Sequence, residues 1–435
     1  MSEPPPIFRH PGPKILSFAL VCALFFGICC PIYPQVPDQA ELVRALRARI
    51  DQLEQRMGQM ERQLANSSAN AHTSPEPRHE PVNPGPSMDH GDHLMGTAMA
   101  GGESTYPSLK IAGYSDVNFS ATDQPGVKSG FNEGQFILHL NSNLAPKVAF
   151  LGELSLTART DAGVGSPPAT GFNAEVERAI VRFEQNDYFK VSFGRYHTPI
   201  NYWNTEFHHG QWLQTTVSRP EMTQFGGRFI PVHFIGALVE GAVPAGGLNL
   251  NYNLGVGNGR GSIISRGGDF GDNNNNRAWL VSLFAKPDHP FGLRFGGALY
   301  RDEVSPAGAP EAREWIESGH IVWQKENPEI IAEFANIRHQ VIGSTRSSNS
   351  QAWYVQAAYR LSGSAKLWKP YYRFEYIHIP RTDPILGAVP SLAGSVAGVR
   401  YDISSFAALK FEYRNQRRPG LARINGGFVQ TSFTF

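Results

Sequence analysis

Residues 247–257 read GLNLNYNLGVG. Leu248, Leu250, Tyr252, Leu254 and Val256 alternate with Asn249, Asn251, Asn253 and Gly255. An apolar face and a polar face at period 2 specify a β-strand; an amphipathic helix would repeat its apolar residues every three to four positions. The same alternation recurs at Phe136-Leu138-Leu140, Val148-Phe150-Gly152-Leu154-Leu156, Ala179-Val181-Phe183 and Phe189-Val191-Phe193. It continues at Trp279-Val281-Leu283, Trp353-Val355-Ala357-Tyr359, Trp368-Pro370-Tyr372-Phe374 and Leu409-Phe411-Tyr413.

Extended over the chain, the pattern predicts sixteen strands. They run roughly over 107–119, 133–143, 147–158, 174–184, 188–196, 231–241, 247–257 and 278–286. The rest fall near 291–301, 312–324, 329–339, 351–362, 367–379, 394–403, 406–415 and 426–435. Short turns at APK, Asn186-Asp187, VPAGG, PDHP, KENP, Ser362–Ala365 and Ser404-Ser405 alternate with longer loops, the longest at 197–230. An even number of antiparallel strands, short turns at one end and long loops at the other, is the layout of an all-β, closed antiparallel transmembrane β-barrel. Lipid offers backbone groups no hydrogen-bond partner, so such a sheet must close on itself. A soluble sandwich would also alternate, but it would not require a meander of this size with consistent loop asymmetry.

Composition is compatible with this fold. With 41% hydrophobic residues the chain is too polar for a bundle of membrane helices, and a formal net charge of +1 gives no reason to expect nucleic acid. All three cysteines, Cys22, Cys29 and Cys30, precede the barrel, which excludes disulfides and thiolate metal sites from it. Residues 1–31 read as a signal peptide: Arg9, His10 and Lys14 precede the apolar run ILSFALVCALFFGICC, which is short for a spanning helix. An uncleaved anchor is the alternative. Val43, Leu46, Ile50, Leu53, Met57, Met60 and Leu64 are spaced 3 and 4 apart, predicting an N-terminal coiled-coil helix over 38–65. A helix packed on its own domain would show the same stripe. Residues 66–105, rich in Pro, Ser, Gly and His, read as a flexible linker. Its MDHGDHLMG carries Met88, His90, His93 and Met95, residue types that bind soft metals, but nothing fixes their geometry. The barrel occupies 106–435, and both its ends fall on the short-turn side, the periplasmic one.

Three segments resemble known outer-membrane proteins. FVQTSFTF, residues 428–435, resembles their C-terminal strand, whose final Phe and alternate hydrophobics are read by the barrel-assembly machinery. Phe433, Phe435 and Val429 fit that assembly signal. FKVSFGRYHTPINYWN (189–204) and VERAIVRFE (176–184) resemble a strand-loop segment and the Arg-rich strand before it in the phosphate-selective porin O and P family. The resemblance implies a passive outer-membrane porin with small solutes or anions as its cargo, and with the coiled coil it implies a homotrimer. A dense ladder of basic residues, which that family carries, is not evident.

If Ala179, Val181 and Phe183 face lipid, Arg178 and Arg182 face the lumen. The same phase puts Lys190, Lys286, Arg360, Arg373, Arg400, Lys410 and Arg414 inside, with Glu153, Glu333, Glu375, Asp402 and Glu412. A ring of cations favours anions, while interleaved acids weaken the preference, so a mild anion selectivity is expected. Loop 197–230 carries Trp203, Glu206, His208, His209, Trp212, Arg219, Glu221 and Arg228 and is expected either to narrow the lumen or to cap it. Neither a metal nor another cofactor is expected: adjacent His208 and His209 alone make no metal site. GVGNGRG is followed by no helix, GGDFGDNNNN lacks a full calcium ligand set, and neither H-E-x-x-H nor G-x-S-x-G occurs, so no enzyme is expected. The alternative to a porin is a structural or adhesive barrel whose long loops close the lumen.

Overall fold

The computed structural model describes residues 106–158, 171–224, 229–264 and 273–435. The predicted signal peptide, coiled-coil helix and linker, and Arg228 of the long loop, lie outside the described residues.

Sixteen strands form one closed barrel in which each strand pairs antiparallel with its chain neighbour and β16 pairs with β1. They are β1 Ser108–Thr122, β2 Gly130–Ala145, β3 Val148–Ala158, β4 Phe172–Asn186, β5 Phe189–His197, β6 His233–Val243, β7 Leu250–Asn258 and β8 Ala278–Ala285. The circuit continues with β9 Leu293–Val304, β10 Ala312–Gln324, β11 Glu329–Val341, β12 Ser348–Ala358, β13 Trp368–His378, β14 Leu392–Ser404, β15 Ala407–Arg417 and β16 Ile424–Thr434.

Every expected strand is present, with shifted ends. β7 starts at Leu250, not Gly247, because Gly246–Leu248 form a 3-10 turn and Asn249 takes φ 46°, which breaks the extended backbone. β12 ends at Ala358, but Tyr359 N to Pro370 O and Leu361 N to Trp368 O, both 3.0 Å, carry its ladder with β13 further. At β3–β4 the register shifts between Glu153 and Leu154. The bulge leaves Glu177 without a partner in the ladder and turns it, like Arg178, away from the exposed face.

The alternation produces an inside-out molecule. On β12 and β13, Trp353, Val355, Tyr372 and Tyr376 are exposed, whereas their neighbours Tyr354, Gln356, Arg373 and Glu375 are buried. Exposed Phe193, Val256, Leu283, Ile321, Phe411 and Phe433 extend the apolar outer surface. Large contiguous apolar exposure of this kind is stable against lipid and unfavourable in water.

The seam accounts for the C-terminal aromatic residue. β1 and β16 pair from Tyr114 with Thr434 to Thr122 with Gly426. Phe435 then exchanges both backbone hydrogen bonds with Gly113, at 2.9 and 3.1 Å. Its ring lies over Gly113, where a Cβ would come within 2.4 Å of it, and packs against Phe136 at 5.6 Å between centroids.

Candidate functional site

The connection 198–232 between β5 and β6 enters the barrel. Its described residues bond to inward side chains on walls that face one another across the lumen. Arg294 of β9 donates to Glu206 at 2.5 Å, and Trp203 N donates to Glu333 of β11 at 2.7 Å. Arg373 of β13 donates to the Ser218 carbonyl at 2.8 Å, the Ser218 hydroxyl at 2.6 Å and the Arg219 carbonyl at 3.1 Å. Glu375 accepts from Glu221 N at 2.6 Å. Arg400 of β14 donates to the carbonyls of Trp212 and Gln214. On β15, Lys410 donates to the carbonyls of Gln211 and Thr216, and Glu412 accepts from Val217 N and Ser218 N. On the far side His209 meets Glu177 of β4, at 3.3 Å. Arg294 is the second residue of β9 and Lys410 the fourth of β15, both near the short-turn ends of their strands, so the segment they hold lies deep in the barrel and not over the long-loop rim.

Local sequence shapes the loop. Trp203–Glu206 make a single helical turn. Trp203 is fully buried against Phe207 and Tyr354 and anchors an apolar cluster with Ile200, Phe229 and Ile230. Asn204 ties the two ends of the loop, its amide donating to Thr198 O at 2.8 Å and Val232 O at 3.2 Å. Arg219 is buried and holds Thr223 O and His208 O within the loop. Glu221 accepts from Arg418 at 2.9 Å.

The expected interior residues therefore fall into two groups. Arg373, Glu375, Arg400 and Lys410 are covered by the loop and anchor it. Arg178, Arg182, Lys190, Arg360, Asp402 and Arg414 belong to ion pairs along the wall. Arg182 meets Glu240 at 2.6 Å, Lys190 meets Glu184 at 3.4 Å, and Arg360 meets Asp402 at 2.6 Å. Arg178 pairs with Glu153, and Arg414 pairs with Glu412 at 2.6 Å beneath the Phe428 ring.

Two cavities lie below the loop, toward the short turns. One, of about 130 Å³, is lined by Arg178, Arg182, Lys286 and Arg294 against Glu206 and Glu240. The other, of about 200 Å³, is lined by Lys325, Arg360, Lys369 and Arg400 against Glu326 and Glu329. Each holds four cationic side chains to two carboxylates.

The fold is that of outer-membrane barrels. Over 76% of this chain it superposes on OmpF of Salmonella typhi, solved in complex with daunomycin, with a TM-score of 0.52 and 11% identity, covering 98% of that chain. DcaP, an outer-membrane channel of Acinetobacter baumannii, gives a TM-score of 0.52 at 9% identity over 76% of this chain and 97% of that one. OmpT, an outer-membrane protein of Vibrio cholerae solved in a trimer form, gives 0.51 at 14% identity over 76% and 99%. No protein-family model matches the sequence, and no curated protein does. The likeness to phosphate-selective porins thus stays with the short segments that suggested it.

Sequence reasoning missed a cluster at the loop's base. His197, at the end of β5, pairs in the ladder with His233, at the start of β6. His208 and His209 fold back onto them, with the His197 and His208 rings stacked at 3.7 Å. Burial, and then the imidazoles of His197, His209 and His233 and the cation of Arg219, hold the His208 pKa well below its ordinary value. The signal was available: a His at each end of one loop and a His pair within it.

Proposed function

We propose that the chain is an outer-membrane porin through which small hydrophilic solutes or ions diffuse passively, with a mild preference for anions. The observation that carries this reading is the long loop held inside a closed barrel, above two cavities whose walls carry twice as many cations as carboxylates. Fixed cations beside a narrow aqueous path raise the local anion concentration. Pairing of Arg182 with Glu240, and of Arg360 with Asp402 and Glu326, offsets part of that field, which argues against tight phosphate binding.

The protein works without a cofactor or a catalytic step in this reading. Its partners are outer-membrane lipid around the apolar band, the barrel-assembly machinery at Phe433 and Phe435, and two further copies of the chain. The coiled-coil segment 38–65 lies in the periplasm and supports the trimer.

Reversal potentials in a KCl gradient test the selectivity. The reading expects a modest anion preference that shrinks as salt rises, because the Debye length falls from about 10 Å at 0.1 M to about 3 Å at 1 M. Replacing Arg360 and Lys369 with Gln should shift the pore toward cations. A wild-type pore that prefers cations contradicts the anion assignment. A second reading has its own support: a loop bonded to walls on opposite sides also suits a structural or adhesive barrel with a closed lumen, which would carry no current.

A further inference from the structure

We propose that His197, His208, His209 and His233 form a binding site for one divalent transition-metal ion of the zinc class, which pins the lumen loop to its own base. All four side chains are buried, and each offers a ring nitrogen within 4.8 Å of the others. Four ligand atoms bound to one ion in a tetrahedron at about 2.0–2.1 Å lie roughly 3.3 Å apart, so small ring movements close the site. Imidazole clusters suit zinc, copper, nickel and cobalt, and not the oxygen-seeking calcium or magnesium.

The surroundings orient the His208 and His209 rings as outer ligands do in metal sites. The Asn204 amide nitrogen donates to two loop carbonyls, which leaves its oxygen to accept from His208 Nδ1 at 3.0 Å. That hydrogen bond fixes the tautomer and gives His208 Nε2 the lone pair a metal needs. His209 Nδ1 lies 3.5 Å from the Gln135 amide oxygen, and its Nε2 turns toward the cluster, 3.3 Å from Glu177. His197 Nε2 lies 3.5 Å from Glu153. His233 Nε2 is 2.9 Å from Glu177, while Arg195 stands at its Nδ1, 3.0 Å away. Binding at Nε2 moves the His233 proton to Nδ1 and breaks the hydrogen bond that Arg195 donates there, while Arg195 keeps Glu175 at 3.0 Å and the Glu177 carbonyl at 3.1 Å. The carboxylates of Glu153 and Glu177 face the ion and offset the nearby guanidinium groups.

Access exists. A cavity of about 20 Å³, bounded by His197, His208, His209, Glu153 and Arg178, adjoins the cluster and has room for one water or ion. Its walls are polar. The consequence is mechanical: His197 and His233 belong to the two strands that flank the loop, and His208 and His209 to its interior. One ion would join all three, independently of what the pore conducts.

The test uses the full chain, without an affinity tag, refolded in detergent and titrated with Co²⁺. One ion per barrel should bind and give the intense visible bands of tetrahedral cobalt. His209→Gln should weaken binding by about 100-fold or more and bleach those bands, whereas His90→Ala with His93→Ala, in the linker, should leave them in place. Zinc-edge X-ray absorption of the wild-type protein, loaded with one Zn²⁺, needs no variant to fold. It should show three or four imidazoles with Zn–N near about 2.0 Å. Cobalt bands unchanged in folded His209→Gln, no binding at 100-micromolar-order Co²⁺ (~100 μM, far above the affinity of a built imidazole site), or fewer than three imidazoles at zinc would each overturn the proposal.

Discussion

Arg373→Ala should loosen the lumen loop while leaving the barrel intact. Arg373 is fully buried, and four of its hydrogen bonds reach the loop: two to Ser218, one to Arg219 and one to Thr216. The fifth goes to Gln356 on the neighbouring strand, and Glu375 lies 3.6 Å away. Truncation removes the cation and leaves those acceptors, and the buried Glu375, uncompensated. Breaking a buried charged network from one side costs about 3–5 kcal/mol. At about 1.4 kcal/mol per tenfold, the docked population of residues 216–219 should fall by up to about 10²- to 4 × 10³-fold relative to the loosened one. Lys410 and Glu412 still bond to Thr216 and Val217 within that segment, and Arg400 holds Gln214 beside it, so the loosening is partial and local. Single-channel recording in planar bilayers should find larger or noisier open steps in the variant. Arg373→Lys, which keeps the charge but loses the planar fork, should fall between. Heat-modifiable mobility on gels checks that the barrel folded. Folded Arg373→Ala with wild-type conductance and noise would refute the loop's place in the conduction path.

Three further outcomes follow from the geometry. In the metal-free protein, acidification should loosen the same loop: His208 resists protonation when docked, whereas an undocked His titrates at about 6.5, so the undocked loop binds more protons below that pH. Docking is then strongest above about pH 6.5 and weakens as pH falls, at up to about 1.4 kcal/mol per pH unit for this one group; current noise unchanged between pH 7.5 and pH 5 would count against it. Gly194→Ala should destabilise the barrel by at least about 1–3 kcal/mol, because Gly194 has φ +143° and an added Cβ would sit 1.9 Å from the Ala179 carbonyl; the temperature at which the folded gel band disappears reads this, and an unchanged temperature contradicts it. Removing Phe435 deletes two seam hydrogen bonds and the ring over Gly113, so the yield of inserted, heat-modifiable barrel should drop, and normal insertion would count against a role for this residue in closure.

The strands were legible because lipid on one side and a polar interior on the other impose period 2 on every wall segment. Two local exceptions escaped it. Asn249 interrupts an alternation that reads as unbroken in sequence, since nothing in the pattern reveals a positive φ. The β4 bulge lets Glu177 and Arg178, consecutive residues, both turn from the outer face; their adjacency to Glu175 and Arg182 held a hint, because strict alternation cannot place 175, 177, 178 and 182 on one side. The loop's course was less legible. Its anchors are separated in sequence by 155 residues for Ser218 and Arg373, and by 188 for Trp212 and Arg400. Sequence phase could turn Arg373 and Arg400 inward, but it could not say what they would meet there. The histidine cluster depends on the same fold-back, which brings a residue pair in mid-loop to the two strand ends that bracket it.

Single-channel current through the tag-free, refolded wild-type chain in a planar bilayer tests the central reading most directly. The account predicts discrete conductance steps, occurring in threes if the trimer holds, with a reversal potential in a KCl gradient that favours anions modestly at low salt. Protein that inserts and remains heat-modifiable yet passes no current would contradict the porin assignment and favour a barrel closed by its own loop.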